Sequence, residues 1–264
     1  TLAMIFQKSS TRTRVSFDVG MYQLGGRAIF LSSNDLQMGR GEPISDTAKV
    51  LSRFVDGIMI RAIEHDDVVE LARYSDVPVI SGLTNLEHPC QALADMLTIK
   101  EHFGSFEGKK ICFVGDGNNV CNSLLLIAPL LGMDMSVACP KGYEPNEEIL
   151  KISKEYAKEN NTEITISDDI NLALDNVDIV YTDVWVSMGD ESEKEKREND
   201  LAPNQVNKEL MYIANDDAIF MHCLPAIRGQ EVAADIIDGP QSIVYDEAEN
   251  RLHAQKAVLY HYLK

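Results

Sequence analysis

Residues 6–14 read F-Q-K-S-S-T-R-T-R, crowding hydroxyl and guanidinium groups where an apolar strand pattern at 2–6 gives way to a helical pattern through Val15, Val19 and Tyr22. With Ser10 or Thr11 at the helix N-terminus, free backbone N–H groups, the helix dipole, hydroxyls and arginines converge on one spot. That is a phosphate site in general chemical terms. An N-capped surface helix with solvated arginines is the alternative. The net charge of −18 favours the first reading, because a tight group of arginines in so acidic a chain is what a bound anion would require.

Four further segments carry chemistry. Residues 85–91, N-L-E-H-P-C-Q, also lie between a strand and a helix pattern. Pro89 suits the first helical turn, so His88 and Gln91 can face the carboxyl end of a sheet, where open α/β folds bind ligands; a structural histidine is the alternative. Residues 111–122, I-C-F-V-G-D-G-N-N-V-C-N, look like a dinucleotide turn, but Cys121 stands near the third glycine's place and the next strand ends at Cys139 and Pro140 without an acidic residue for a ribose. A nicotinamide cofactor is therefore rejected, and the amides of Asn118 and Asn119 suit a carboxylate or amino-acid ligand instead. Residues 183–189, D-V-W-V-S-M-G, follow a strand, with Asp183 able to take an ammonium group and Ser187 a polar head; an ordinary loop is an equal reading. Residues 222–225, H-C-L-P, invite a thiolate nucleophile. Neighbours on a strand point to opposite faces, however, so His222 does not readily activate Cys223. His88 remains able to approach it, and a buried cysteine acting as a small hydrophobe is the commoner case. Arg251, near the start of the last helix, can reach back toward a sheet. The six histidines show no metal spacing, and no metal site is expected.

These segments need strands and helices to hold them. Short apolar runs at 2–6, 28–31, 57–60, 77–80, 110–114, 135–139, 163–166, 178–182 and 218–221 read as buried strands. Amphipathic stretches at 44–55, 66–74, 89–103, 122–131, 147–160, 170–175 and 247–264 read as helices. Such alternation predicts an α/β protein of two doubly wound parallel-sheet domains joined by two long helices. The first domain is expected at 1–104 and the second at 105–264, with the last helix packing back toward the first. The charged run at 190–200 is expected to be a mobile surface loop.

Composition narrows the classes. The 264 residues suit two compact domains, and 45% hydrophobic residues suit a globular protein. Five cysteines without a C-x-x-C pair argue against a disulfide framework or zinc and for a reducing cytosol. No apolar run is long enough to span a bilayer and no charged-then-apolar leader opens the sequence, so a cytoplasmic location is expected. The negative charge disfavours nucleic acid and anionic membranes as partners.

Taken together, S-T-R-T-R at 10–14, H-P-C-Q at 88–91, D-V-W-V-S-M-G at 183–189, H-C-L-P at 222–225 and A-E-N-R at 248–251 resemble, in order and spacing, the aspartate/ornithine carbamoyltransferase family. The resemblance covers essentially the whole sequence. D-x-W-x-S-M-G with H-C-L-P points to the ornithine branch. Family members carry a helical segment ahead of the strand at 2–6, which the sequence given does not include. The resemblance implies transfer of the carbamoyl group of carbamoyl phosphate to the side-chain amine of L-ornithine, giving L-citrulline and phosphate without metal or organic cofactor. It implies that Ser10, Thr11, Arg12 and Thr13 hold the phosphate. Arg61 joins them, and with His88 polarises the carbonyl oxygen. Gln91, Arg251 and the carbonyls of Cys223 and Leu224 fix the carbamoyl group. Asn119, Asp183, Ser187 and Met188 bind the amino-acid end of ornithine, with Cys223 beside Asp183 helping to position it, while Lys8 and Arg14 give structural support. It further implies ordered binding with carbamoyl phosphate first, closure of the loop after Gly189 over ornithine, and a homotrimer or a higher assembly of trimers. A carbamoyltransferase for another amine, a cysteine hydrolase using Cys223 and an inactive ligand sensor are the rival readings.

Overall fold

A computed structural model describes residues 1–33, 36–186 and 191–263. The chain divides into two compact units, Thr1–Ala94 with Glu249–Lys264, and Asp95–Ala248.

The first unit contains β1 (Leu2–Phe6), α1 (Thr11–Gln23), β2 (Ala28–Ser32), α2 (Ile44–Leu51), β3 (Gly57–Arg61), α3 (His65–Tyr74) and β4 (Val79–Leu83), and takes in the first part of α4 (Pro89–Phe103). Its four strands pair in parallel in the order β2-β1-β3-β4. A parallel sheet is covered on both faces, which is why β1 and β3 are apolar runs buried throughout. Side chains alternate along β1. Leu2, Met4 and Phe6 pack with Phe17, Met21 and Leu259 on one face, while Ala3 and Ile5 pack with Ala48 and Leu71 on the other.

The second unit contains β5 (Lys110–Val114), α5 (Asn119–Leu130), β6 (Asp134–Ala138), α6 (Glu147–Asn160), β7 (Ile164–Ser167), α7 (Ile170–Leu174), β8 (Ile179–Thr182), α8 (Lys194–Leu201), α9 (Lys208–Met211), β9 (Ile219–His222), α10 (Ala234–Ile237) and the start of α11 (Val244–Tyr262). Five parallel strands run in the order β7-β6-β5-β8-β9. The division between units falls inside α4 and α11, so each of the two long helices contributes residues to both. The sequence patterns placed the junction at 104/105.

Three differences from expectation have physical causes. The strand foreseen at 77–80 runs from Val79 to Leu83, where Gly82 takes part in a register shift against Ile60 and Arg61. The run expected to be a mobile loop forms α8 after a 3-10 turn at Glu191–Glu193. Leu201 at its end is fully buried and Arg197 is ion-paired to Asp116 at 2.8 Å, so tertiary contacts hold a segment whose composition favours solvent. In α1 the buried face is Thr13, Ser16, Phe17, Gly20 and Met21, whereas Val15 and Tyr22 of the apolar stripe are 53% and 81% exposed. Among the described residues no helix is long and apolar enough to cross a membrane.

Candidate functional site

In the first sheet the strand order reverses direction between β1 and β3, one chain connection leading to β2 on one side and the other to β3 and β4. The crevice at the carboxyl ends of two such strands is where an open α/β sheet binds ligands. The segment after β1 and the last residue of β3 both end there. Ser10 caps α1, its Oγ accepting the Thr13 backbone N–H at 3.3 Å and donating to Thr13 Oγ1 at 3.0 Å. Thr11 is the first helical residue and is exposed, while Thr13 is fully buried. Arg14 stacks its guanidinium 3.8 Å from the Phe30 ring centroid, a supporting role.

Arg251 knits this region together. Its Nη1 donates to Gln91 Oε1 at 2.8 Å, its Nη2 to Thr13 Oγ1 at 3.3 Å and its Nε to Gln255 Oε1 at 2.9 Å, all in buried surroundings. Arg61 is buried at the carboxyl end of β3. A Cβ on Gly82 would stand 3.2 Å from Ile60 O, so glycine eases the close approach beside the strand end carrying Arg61. His88, just before α4, is buried among these cations. Burial first, then the guanidinium groups of Arg251, Arg61 and Arg12, holds it well below the usual histidine range. The imidazole is therefore neutral at neutral pH and serves as a hydrogen-bonding group rather than a cation. The structure thus gathers Ser10, Arg12, Thr13, Arg61, His88, Gln91 and Arg251 within the first unit.

The second unit has its own reversal point, between β5 and β8. Asn118, immediately after β5 and its loop, caps α5 by accepting from Val120 N at 3.0 Å and Cys121 N at 3.2 Å. Its Nδ2 donates to Asp183 Oδ2 at 2.8 Å. Asp183, just past β8, also accepts the Val184 N–H at 2.8 Å and the Cys223 thiol at 3.0 Å. Asn119 is the first residue of α5. Ser187 and Met188 lie outside the described residues. Cys223 and Leu224, expected to serve carbamoyl phosphate, belong to this second unit. Leu224 has φ +54°, a left-handed conformation that a leucine adopts only under constraint, and its N–H donates to His222 Nδ1 at 2.9 Å. A Cβ on Gly117 would collide with the Pro145 backbone, so this glycine serves chain packing rather than a pyrophosphate.

Two chemistries can be weighed here. Desolvation of the sulfur, then the charge of Asp183, pushes the Cys223 thiol well above the usual cysteine range. A thiol held as a donor to a carboxylate is a poor nucleophile, which counts against the cysteine-hydrolase reading. Asp183, His222 and Cys223 offer ligand atoms within 4.8 Å of one another. His222 uses Nδ1 to accept from Leu224 and has Nε2 3.2 Å from Glu231 Oε1, and the Cys223 proton is committed to Asp183. The cluster satisfies itself and is a poor fit to a cation.

Sequence reasoning paired Asn118 with Asn119 as amides suited to an amino-acid ligand, and did not foresee the hydrogen bond from Asn118 to Asp183. Asn118 was detectable as an N-cap residue directly after a strand.

The sequence matches two family descriptions, "Aspartate/ornithine carbamoyltransferase, carbamoyl-P binding domain" over residues 1–101 and "Aspartate/ornithine carbamoyltransferase, Asp/Orn binding domain" over residues 107–262. It is 81% identical to an ornithine carbamoyltransferase of Methanobrevibacter smithii, over 100% of this chain and 88% of that protein. It is 63% identical to one of Methanosphaera stadtmanae, over 100% of this chain and 87% of that protein. The solved ornithine carbamoyltransferase of Pyrococcus furiosus superposes with a TM-score of 0.96 at 55% identity, covering 99% of this chain and 84% of that one.

Proposed function

We infer, from the premise that the chain belongs to the aspartate/ornithine carbamoyltransferase family, that it transfers the carbamoyl group of carbamoyl phosphate to the side-chain amine of L-ornithine, releasing L-citrulline and phosphate. The observation that carries the site assignment is the cationic nest in the first unit, where Arg12, Arg61 and Arg251 all act on a buried, neutral His88.

Carbamoyl phosphate already holds a good leaving group, so the protein supplies position and charge stabilisation rather than a covalent intermediate. The phosphate sits at the N-terminus of α1, with Ser10, Thr11, Arg12 and Thr13 around it. The amine attacks the carbonyl carbon, and negative charge grows on the carbonyl oxygen, which Arg61, His88 and Thr13 meet. A neutral His88 donates a hydrogen bond to that oxygen without adding repulsion to the arginines. Gln91, Arg251 and the carbonyls of Cys223 and Leu224 hold the carbamoyl amide. Asn119, Asp183, Ser187 and Met188 take the amino-acid end of ornithine, and Cys223 steadies Asp183. As the carbon–oxygen bond to phosphate breaks, the bonding pair leaves with the phosphate, whose charge Arg12 and the start of α1 stabilise, and the phosphate accepts the amine proton. The attacking amine must be neutral, whereas a free alkyl amine has a pKa of about 10, so activity rises with pH above neutrality; a flat profile from pH 6 to 9 would count against this step.

The assembly is a homotrimer or a higher assembly of trimers in the cytoplasm, serving arginine biosynthesis. The exposed Val15 and Tyr22 on α1 support burial in an assembly. Light scattering that returned the mass of a single chain would refute it.

The test of the function is citrulline formation by the purified protein, with putrescine, aspartate and acetylornithine offered beside ornithine. Arg12→Ala is expected to lower kcat by roughly 100- to 1000-fold, the usual cost of losing one such charge-stabilising donor. A stronger rate with another acceptor would move the protein to a different branch, and no product with any of them would leave a ligand sensor.

A further inference from the structure

The amide of Gln255 takes no part in the mechanism above, yet it stands between two groups that do, the Arg251 guanidinium and the first turns of α1. Gln255 lies on α11 one turn beyond Arg251, so the two side chains are neighbours on one face of the helix. Ser16 meets Gln255 from α1. All three are buried and belong to the first unit, as do Gln91 and Thr13. The two helices lie close together here. A Cβ on Gly20, one turn beyond Ser16, would stand 3.2 Å from Lys256 Cγ.

The direction of each hydrogen bond is fixed, because a guanidinium only donates. Arg251 Nε donates to Gln255 Oε1 at 2.9 Å, which turns the Gln255 NH2 group away from it. That NH2 group donates to Ser16 Oγ at 2.7 Å. The Ser16 hydroxyl hydrogen is left for the backbone carbonyls of Arg12 and Thr13. On the terminal nitrogens, Nη1 donates to Gln91 Oε1 at 2.8 Å and Nη2 to Thr13 Oγ1 at 3.3 Å. The guanidinium is planar, so acceptors at Nε, Nη1 and Nη2 together fix its plane. All three acceptors are neutral. They orient the cation without cancelling its charge, as a site for an anion needs.

We propose that Gln255, braced by Ser16, is a positioning residue that fixes the plane of the Arg251 guanidinium for carbamoyl phosphate. It acts through Arg251 rather than on the substrate. Its kinetic consequence rests on the transfer reading above, whereas the clamp on the guanidinium does not. A methionine at 255 would fill similar space but take this acceptor from a buried donor, and the guanidinium would turn to recover one.

The experiment compares the kinetics of the wild-type chain with those of Q255M, S16A, R251K and the double variant of Q255M with R251K. Q255M is expected to raise KM for carbamoyl phosphate about tenfold, the loss of one charge-assisted hydrogen bond, with KM for ornithine within about twofold of wild type. S16A removes only the brace and is expected to raise the same constant about threefold. With R251K no guanidinium remains to be oriented, so adding Q255M should change KM for carbamoyl phosphate less than about twofold. Crystals of Q255M should show the Arg251 guanidinium turned out of its wild-type plane. The proposal is overturned by an unchanged KM for carbamoyl phosphate in Q255M or by an equal rise in both KM values. An increment as large on R251K as on the wild type, or a guanidinium that has not moved, overturns it too. Should Q255M not fold, S16A decides, and no rise in its KM for carbamoyl phosphate sinks the proposal. If the wild type makes no citrulline but the guanidinium turns in Q255M, the transfer reading fails and the clamp stands.

Discussion

At the scale of single residues, the charge state of His88 is the most consequential feature. Its folded-state value lies below the unfolded value near 6.5 because burial and three guanidinium groups oppose protonation. The unfolded chain therefore binds a proton that the folded chain refuses. Stability from this group is complete above neutrality and declines as pH falls through 6.5 toward the depressed value. The slope reaches up to about 1.4 kcal/mol per pH unit for one such proton. Denaturant titrations from pH 7 down to pH 5 should show a shallower decline in His88→Gln, and an unchanged decline would mean that His88 is protonated in the folded protein. Cys223 allows a second check. A thiol held well above its usual range reacts slowly with alkylating agents at neutral pH, so iodoacetamide should modify it more slowly than free cysteine, and rapid modification would revive the nucleophile reading. The nest of arginines was legible because cations are conspicuous in so acidic a sequence. The Asn118–Asp183 hydrogen bond was not, since its partners stand 65 positions apart along the sequence.

At the scale of elements, both sites use the start of a helix that follows a strand. Ser10 caps α1 and Asn118 caps α5, and each cap does more than close its helix. Asn118 spends its amide oxygen on α5 and its NH2 on Asp183. Asn118→Ala should therefore cost stability of about 1 kcal/mol, a typical cap loss, and also release Asp183. The KM for ornithine should rise about tenfold, equivalent to the loss of one charge-assisted hydrogen bond of roughly 1.5 kcal/mol, while the KM for carbamoyl phosphate stays near its wild-type value. Equal changes in both constants would mean that the substitution acts on the fold at large. Strand periodicity located the strands to within a few residues, because each is a short apolar run set between amphipathic stretches. It failed at α8, where a charged segment is held by the buried Leu201, the Arg197–Asp116 ion pair and hydrogen bonds from Tyr143 to Asp200 and from Gln230 to Glu198, and on α1, where the apolar stripe is the exposed face.

For the whole molecule, the residues assigned to the two substrates lie mostly on different units, each at the reversal point of its own parallel sheet. Carbamoyl phosphate should accordingly bind the free enzyme by itself, the residues proposed for its phosphate all lying in the first unit. Titration calorimetry should record heat for carbamoyl phosphate alone and for ornithine only after it, and heat from ornithine added first would exclude the ordered scheme. The division of labour between sequence and structure follows the same physics. Alternating apolar and amphipathic runs, glycine and proline at the ends of elements, and hydroxyls beside arginines are local signals, so the α/β class, the parallel sheets and the helix start rich in hydroxyls and arginines were determined by the sequence itself. Only the tertiary structure decided which carboxylate meets which donor, that Arg251 spans Gln91 and Thr13, that α8 is a helix, and that His88 is neutral. Those outcomes depend on desolvation and on contacts between residues far apart along the chain, and neither quantity exists until the chain is packed.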